Sequence, residues 1–254
     1  MGGEFLQTGR EIVPIPGSYA LVEKVAEGFG RFLELVQPDQ RERWTYEVLP
    51  NEDPDHKPDD GYMPRKGDAK VSGGRDDIKQ TFHYRPRLIK LLQSRNVDCS
   101  LVRDWLETCA ELHELCVAHA SDFVRWLDAH FPGYNFTGRF HDPRSRDANV
   151  LRILRYAERG PGDSLTVGKY HVDRNFFTFA LGESHPGLRI FPEGESGAPI
   201  AYRATPDNVL AFPGAKFAIL TAGRIAGLGH DVVNENPAAP PRWSVVFFAH
   251  VTLE

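Results

Sequence analysis

The chain has 254 residues, 41% of them hydrophobic and 26% charged, with a formal net charge of −5 at pH 7. Such a balance belongs to an ordinary globular protein with enough chain for one sizeable core or two small ones. It excludes a global attraction to nucleic acid or anionic membrane, and no apolar run approaches the roughly 20 residues that span a bilayer.

The start, Met1-Gly2-Gly3-Glu4, carries no apolar leader, and Leu6 stands where a myristoylation motif wants Ser or Thr. Apolar residues at Leu21, Val22, Val25, Phe29, Phe32, Leu33 and Val36 predict a helix over Ser18 to Val36, opened by a Ser cap after Pro16-Gly17 and closed before Pro38. Residues 50 to 80 are rich in Asp, Pro, Gly and Lys, as in Asp53-Pro54, Lys57-Pro58, Asp59-Asp60-Gly61 and Ser72-Gly73-Gly74. They predict a long irregular connection, placed as a lid or substrate wall.

A second helical region runs from Ser100 to Phe131 and stops at Pro132-Gly133. The chain's 3 cysteines, Cys99, Cys109 and Cys116, cluster in or just before this region, with Cys109 and Cys116 on one helical face. Their odd number and lack of paired spacing give no zinc site and suggest a reducing cytoplasm.

From Asn149 the texture changes to short β-rich runs punctuated by Gly and Pro. They are Val150–Tyr156, Leu165–Asp173, Phe176–Leu181, Leu188–Phe191, Ile200–Ala204, Val209–Phe212, Phe217–Leu220 and Trp243–Val251. Many short strands at such spacing predict a sandwich, barrel or jelly roll. The expectation is a single domain over 1–254, with a helical and loop-rich region over 1–148 buttressing a β-rich core over 149–252.

Among 10 histidines a His-x-Asp triplet arises by chance, so the context of His171-Val172-Asp173 gives it meaning. In a strand, residues i and i+2 share a face, so both side chains can address one metal ion. Two His and one carboxylate on one side of an iron form the facial triad of non-haem oxygenases. His230, in Gly229-His230-Asp231-Val232-Val233 at the start of another predicted strand, is the natural third ligand. Downstream, Arg242-Trp243-Ser244 places a guanidinium fork and a hydroxyl on one strand face, a pair suited to a carboxylate. Val246, Phe248 and His250 continue that face, and Trp243, Val245, Phe247, Ala249 and Val251 take the other.

These segments resemble the isopenicillin N synthase-like family of Fe(II)- and 2-oxoglutarate-dependent oxygenases. The matching stretches, in order, are residues 151–156, His171-Val172-Asp173 with Phe177-Thr178, Gly187-Leu188-Arg189-Ile190, Gly214 through Phe217 and Gly223-Arg224. His230 with Val232-Val233-Asn234 and Arg242-Trp243-Ser244 complete the set. Tyr19 to Gln40 and Asp60-Gly61-Tyr62 resemble the family's early helix and the loop after it. Two departures stand out: the Asn236-to-Pro241 linker is longer than usual, and a common Gly-Asp pair reads Gly214-Ala215.

The resemblance implies an α+β protein with a double-stranded β-helix, a cupin-like jelly roll, buttressed by N-terminal helices. It implies Fe(II) on His171, Asp173 and His230. It further implies 2-oxoglutarate with its far carboxylate on Arg242 and Ser244, within reach of Tyr156, and dioxygen as oxidant. Arg189 is a candidate substrate residue, with a place on the outer face of its strand as the equal alternative. Because Asp173 is present, the chain does not resemble the halogenating relatives. The implied activity is oxidation of a small organic molecule, by hydroxylation, desaturation, cyclisation or epimerisation, in specialised metabolism. Nucleic-acid or membrane partners are not implied, and oligomeric state is not legible. Two other readings stay open here: an oxidase of the isopenicillin N synthase type that needs no 2-oxoglutarate, and a non-catalytic β-barrel binding module.

The remaining histidines (His56, His83, His113, His119, His130, His141, His185 and His250) read as ordinary surface or core residues. His113-Glu114 does not open a zinc-protease motif, because position 117 is Val. The cluster Phe176, Phe177 and Phe179 reads as core.

Overall fold

The structure, a computed structural model, describes residue 5 and residues 8–46, 60–63, 79–156, 165–203, 205–234 and 241–253. A short edge strand β1 (Glu11–Pro14) leads into α1 (Ser18–Leu35), whose buried face is Val22, Val25, Ala26, Phe29 and Phe32. The predicted Ser cap is not one: Gly17, at φ 80°, holds the cap position and Ser18 is the first helical residue. The side chain of Asp207, far along the chain, instead accepts from the backbone N–H of Tyr19 at 2.9 Å. A short turn of helix α2 (Pro38–Arg41) and a 3-10 turn follow.

Strands β2 (Thr45–Tyr46), β3 (Asp60–Met63) and β4 (Lys79–Tyr84) then form a meander. The irregular connection expected over residues 50–80 is therefore corrected at Asp60–Met63, which is a strand. Its Asp-Gly signal marks a buried anchor: Asp60 is fully buried against the guanidinium groups of Arg85 and Arg87, the latter at 2.6 Å. Gly61 has φ 80°, and a Cβ there would strike the Trp44 carbonyl. The Asp53-Pro54, Lys57-Pro58 and Ser72-Gly73-Gly74 signals, and with them the lid reading, lie outside the described residues.

Helices α3 (Leu88–Ser94), α4 (Arg103–His130), α5 (Phe136–His141) and α6 (Pro143–Ala148) complete the first half. The second half supplies β5 (Val150–Tyr156), β6 (Thr166–Val172), β7 (Phe177–Glu183), β8 (Leu188–Phe191), β9 (Ile200–Ala201) and β10 (Asn208–Pro213). Helix α7 (Ala215–Leu220) and strands β11 (Gly229–Val233) and β12 (Trp243–Ala249) follow.

The strand expected at Phe217–Leu220 is helix α7. A four-residue apolar run does not separate the two by periodicity. Here Ala215 and Lys216 donate their N–H groups to the carbonyls of Asp173 and Asn175, which starts a helical turn and buries Phe217.

Pairing is antiparallel throughout. An eight-stranded sheet runs β1-β10-β7-β12-β5-β4-β3-β2, and a four-stranded sheet runs β6-β11-β8-β9. One face of the large sheet carries Leu151, Ile153, Phe179, Val245 and Phe247, which pack with Phe29, Phe82, Trp105 and Phe123 of the helical half in one apolar cluster. The opposite face looks toward the small sheet, where two smaller clusters, one around Leu210 and Phe212 and one around Leu154 and Val167, flank an open pocket. This is the expected jelly roll with helices buttressing one sheet. It explains the alternation from Arg242 into β12, where Arg242, Ser244, Val246 and Phe248 line the pocket while Phe247 and Ala249 join the core; Val245, at a register shift in the strand, touches both. Phe176, Phe177 and Phe179 are core, as expected.

Candidate metal and co-substrate site

The pocket between the sheets is open to solvent, and its empty space, open solvent at the mouth included, is about 700 Å³. The small sheet brings two histidines to one end of it. His171 near the end of β6 and His230 on β11 are directly paired across the strands, so their side chains share a face and their rings lie 4.3 Å apart. Asp173, just past the end of β6, completes the group. His171 Nε2 is 3.5 Å from Asp173 Oδ1, and His230 Nε2 is 3.8 Å from Asp173 Oδ2. One ligand atom from each residue lies within 4.8 Å of the others, close enough for a single ion.

Backbone carbonyls fix how both imidazoles present themselves. His171 Nδ1–H donates to Lys169 O at 2.7 Å and His230 Nδ1–H donates to Leu228 O at 3.3 Å, which leaves each Nε2 as the lone-pair nitrogen. Asp173 is held in turn by the Thr178 hydroxyl, which donates to its Oδ2 at 2.6 Å, and Thr178 accepts from Asn175 Nδ2 at 2.9 Å.

Burial pushes the Asp173 carboxyl upward, but His230, His171 and the Thr178 hydroxyl outweigh it and hold the acid well below its ordinary range. His171 is raised by its bond to Asp173, whereas burial lowers His230. The result is an anionic acceptor set beside two nitrogen lone pairs, the donor chemistry that borderline divalent metals take.

At the other end of the pocket stands the large sheet's contribution. Arg242, immediately before β12, is 1% exposed, and Ser244 lies two residues on. The guanidinium rests 5.1 Å from the centroid of the Tyr156 ring. Its Nη2 pairs with Glu183 at the end of β7, but Nε and Nη1 are buried with no hydrogen-bond partner. Two unsatisfied buried donors in one planar fork fit a carboxylate from a ligand. Gly187 makes room for that fork: a Cβ there would meet the Val233 carbonyl and crowd Arg242 Nε.

Arg189 falls elsewhere. It pairs across the strands with Asp231, neighbour of His230, so both point away from the pocket face, and Arg189 Nε binds Asp231 Oδ1 at 2.8 Å. The candidate substrate role for Arg189 is thereby corrected: alternation puts it on the outer face of the small sheet, held by an acid.

Several lining residues were not singled out in the sequence. Lys79 opens β4 beside Tyr156, and Arg152 on β5 donates from Nε to His83 Nε2 at 2.8 Å while lying 4.4 Å from the centroid of Phe248. For Arg152, strand alternation from Tyr156 was the available clue. Glu183 and its contact to Arg242 had none. The longer linker from Asn236 to Pro241 lies, but for Pro241, outside the described residues.

Comparison with known proteins agrees with this geometry. Residues 148–251 match the model of the 2OG-Fe(II) oxygenase superfamily. No curated protein sequence matches the chain. Among solved structures, a Neurospora crassa protein in complex with alpha-KG and thymine superposes with a TM-score of 0.70 at 19% identity, over 98% of this chain and 78% of that one. Dioxygenase for auxin oxidation 1 from Arabidopsis thaliana, as its 2-oxoglutarate complex, gives 0.70 at 15% identity, over 96% and 84%. JOX2 in complex with 2OG, Fe and JA gives 0.72 at 18%, over 98% and 70%. At these identities the superpositions speak for the fold, a double-stranded β-helix. Among the described residues no helix is long and apolar enough to cross a membrane. The match to the 2OG-Fe(II) oxygenase superfamily is confined to residues 148–251, which include His171, Asp173, His230 and Arg242, and with that oxygenase domain the protein is an enzyme rather than a binding module, a non-haem Fe(II)/2-oxoglutarate-dependent dioxygenase.

Proposed function

We propose that His171, Asp173 and His230 hold the iron, and that Arg242 and Ser244 receive the distal carboxylate of 2-oxoglutarate with Tyr156 beside them. The observation that carries this reading is a coincidence of needs in one pocket. Three metal-type donors converge at one end, and the buried Arg242 fork has two unmet donors at the other. The iron supplies the oxidative chemistry when bound. The protein orients the reactants: carbonyls on Nδ1 keep both Nε2 atoms turned inward, Thr178 fixes the Asp173 carboxylate, and Arg242 sets the direction of the co-substrate.

The substrate in this reading is a small organic molecule, and its oxidation is hydroxylation or another outcome of hydrogen removal: desaturation, cyclisation or epimerisation. Its place is specialised metabolism, in a single oxygenase domain spanning the chain. Support comes from the pocket wall of Leu154, Val246 and Phe248 with Arg152 and Lys79 at its margin, and from relatives crystallised with thymine or JA. A cytoplasmic setting is supported by the free thiols of Cys109 and Cys116.

Anaerobic thermal unfolding with Mn(II), with and without 2-oxoglutarate, tests the assignment. A ligand at 100 times its dissociation constant adds about 2.7 kcal/mol. The expected outcome is stabilisation by metal and a further rise with 2-oxoglutarate that is lost in Arg242→Ala. Stabilisation that survives His171→Ala or Arg242→Ala unchanged would reject these residues.

A further inference from the structure

The co-substrate end of the pocket already contains an acid. Glu183 closes β7 next to Ser244 of β12, and its side chain, 8% exposed, lies against Arg242 Nη2. Arg242 thus has a carboxylate on one edge and two unmet donors, Nε and Nη1, on the rest of its fork, while Glu183 Oε1 is itself buried without a partner. If a second carboxylate entered this fork, two anions would face one guanidinium in a site with little water.

We propose that Glu183 is the resident counter-ion of Arg242, and that 2-oxoglutarate binding is coupled to uptake of a proton shared between Glu183 and the entering carboxylate. This rests on the assignment of Arg242 as the co-substrate's partner. Two carboxylates that share a site cannot both stay ionised cheaply, so one takes a proton. The acid is already inclined to do so: burial raises Glu183 above its ordinary range even though Arg242 and the N–H groups of Leu188 and Gly187 oppose the rise.

The other titratable groups around this end, among the described residues, are His185, Tyr202, Tyr156 and Lys79. Burial and the nearby Arg242 lower His185, so it is neutral above pH 7. Burial and the Glu183 charge both raise the Tyr202 hydroxyl, which keeps it protonated. Lys79 from β4 and Arg152 from β5 also line the pocket.

The design has two consequences. In the absence of co-substrate Glu183 satisfies a buried arginine that would otherwise carry an unpaired charge. On binding, the same acid tunes affinity for dicarboxylates, because only a ligand with a distal carboxylate meets it. A 2-oxo acid of equal length ending in a methyl group does not.

Calorimetry tests this on the Mn(II)-loaded protein under anaerobic conditions, between pH 7 and 8, in buffers of different ionisation enthalpy. Titration with 2-oxoglutarate should show net proton uptake in the wild type and none with 2-oxopentanoate. Glu183→Gln should abolish the uptake, flatten the pH dependence and tighten 2-oxoglutarate roughly tenfold without tightening 2-oxopentanoate. His185→Gln should leave the uptake in place. Binding of 2-oxoglutarate with no proton uptake by the wild type overturns the proposal, as does uptake that survives in Glu183→Gln or vanishes in His185→Gln. Absence of any 2-oxoglutarate binding would overturn it together with the Arg242 assignment. The wild-type measurement decides the matter even if Glu183→Gln folds poorly.

Discussion

The two ends of the pocket are built in different ways. At the metal end every side chain is fixed by a neighbour in sequence: His171 by the carbonyl of Lys169, His230 by that of Leu228, and Asp173 by the hydroxyl of Thr178. At the co-substrate end Arg242 depends on Glu183, 59 residues away, and on the space left by Gly187. The first end brings three donor atoms within 4.8 Å of one another. The second keeps two buried donors unmet. A site whose geometry is set locally can be made rigid by a few short contacts, whereas a site set by a distant ion pair stays sensitive to charge.

The sharpest way to break the metal end is His171→Ala. This side chain is 48% exposed, so truncation leaves no buried cavity, and only two protein ligands remain. The fold should survive, while stabilisation by Mn(II) and all turnover disappear; metal analysis after desalting checks this. The intact site also has a pH signature. Asp173 raises His171 in the metal-free protein, so that interaction stabilises the fold below the ordinary histidine range. It is lost as pH rises through the raised value. Metal affinity runs the other way and climbs over the same window, because the ion competes with that proton.

Breaking the co-substrate end should cost less. Arg242→Ala removes a charge-assisted fork, which weakens 2-oxoglutarate by about 2–4 kcal/mol. Mn(II) binding should stay within about threefold, since metal-ligand effects are carried by groups at the other end. The same change strands Glu183 as a buried unpaired acid, at a cost of about 3–5 kcal/mol in the worst case. The double variant Arg242→Met with Glu183→Gln should therefore unfold at a higher temperature than Arg242→Met alone, yet still bind 2-oxoglutarate poorly. If the double variant regains co-substrate affinity, the clamp lies elsewhere.

This difference between the ends also governs what the sequence reveals. Alternation from Arg242 along β12 assigned Arg242, Ser244, Val246, Phe248 and His250 to one face; the structure places the first four on the pocket, while His250 lies past the end of the strand and does not line it. Helix α1 was legible from its apolar spacing, but its cap was not, because Asp207 supplies it from across the fold. The His171–His230 pairing depends on strand register, which periodicity cannot give; the sequence joined them only through the need of a His-x-Asp pair for a third ligand, which the resemblance then reinforced. Glu183 was invisible for the same reason. A Gly-Glu pair at a strand end reads as surface until the opposite strand is known to carry Arg242. Arg189 stayed open in the sequence because a polar residue on a strand has two faces to choose from, and only the Asp231 partner across the sheet decides between them.

Thr178 sharpens the comparison at smaller cost. Its hydroxyl both orients Asp173 and contributes to keeping that carboxyl ionised. Thr178→Val keeps the shape and removes the bond, so metal affinity should fall by roughly 10–100-fold, as outer partners of metal ligands usually show. Without that hydroxyl the Asp173 carboxyl moves back up toward its ordinary range. Stability carried by a lowered carboxyl is present above the unfolded value and lost as pH falls through the folded one, so the variant should lose it at a higher pH than the wild type. Metal titrations of both proteins at pH 7 check the affinity, and acid unfolding of the metal-free proteins below pH 5 checks the stability; curves that coincide in both would reject the Thr178 role.

The smallest effect is expected outside the pocket, and it tests whether the metal end is truly local. Arg189 and Asp231 form a bidentate pair on the outer face of the small sheet, next to His230 in sequence but facing away from it. The Arg189 side chain is 31% exposed, so solvent screening limits the worth of the pair to about 1 kcal/mol. Arg189→Gln should lower the melting temperature by a few degrees at most. Binding of Mn(II) and 2-oxoglutarate should stay unchanged within error. A tenfold loss of metal affinity would mean that the outer pair sets the position of β11, and with it His230. The metal end would then depend on a distant ion pair just as Arg242 does.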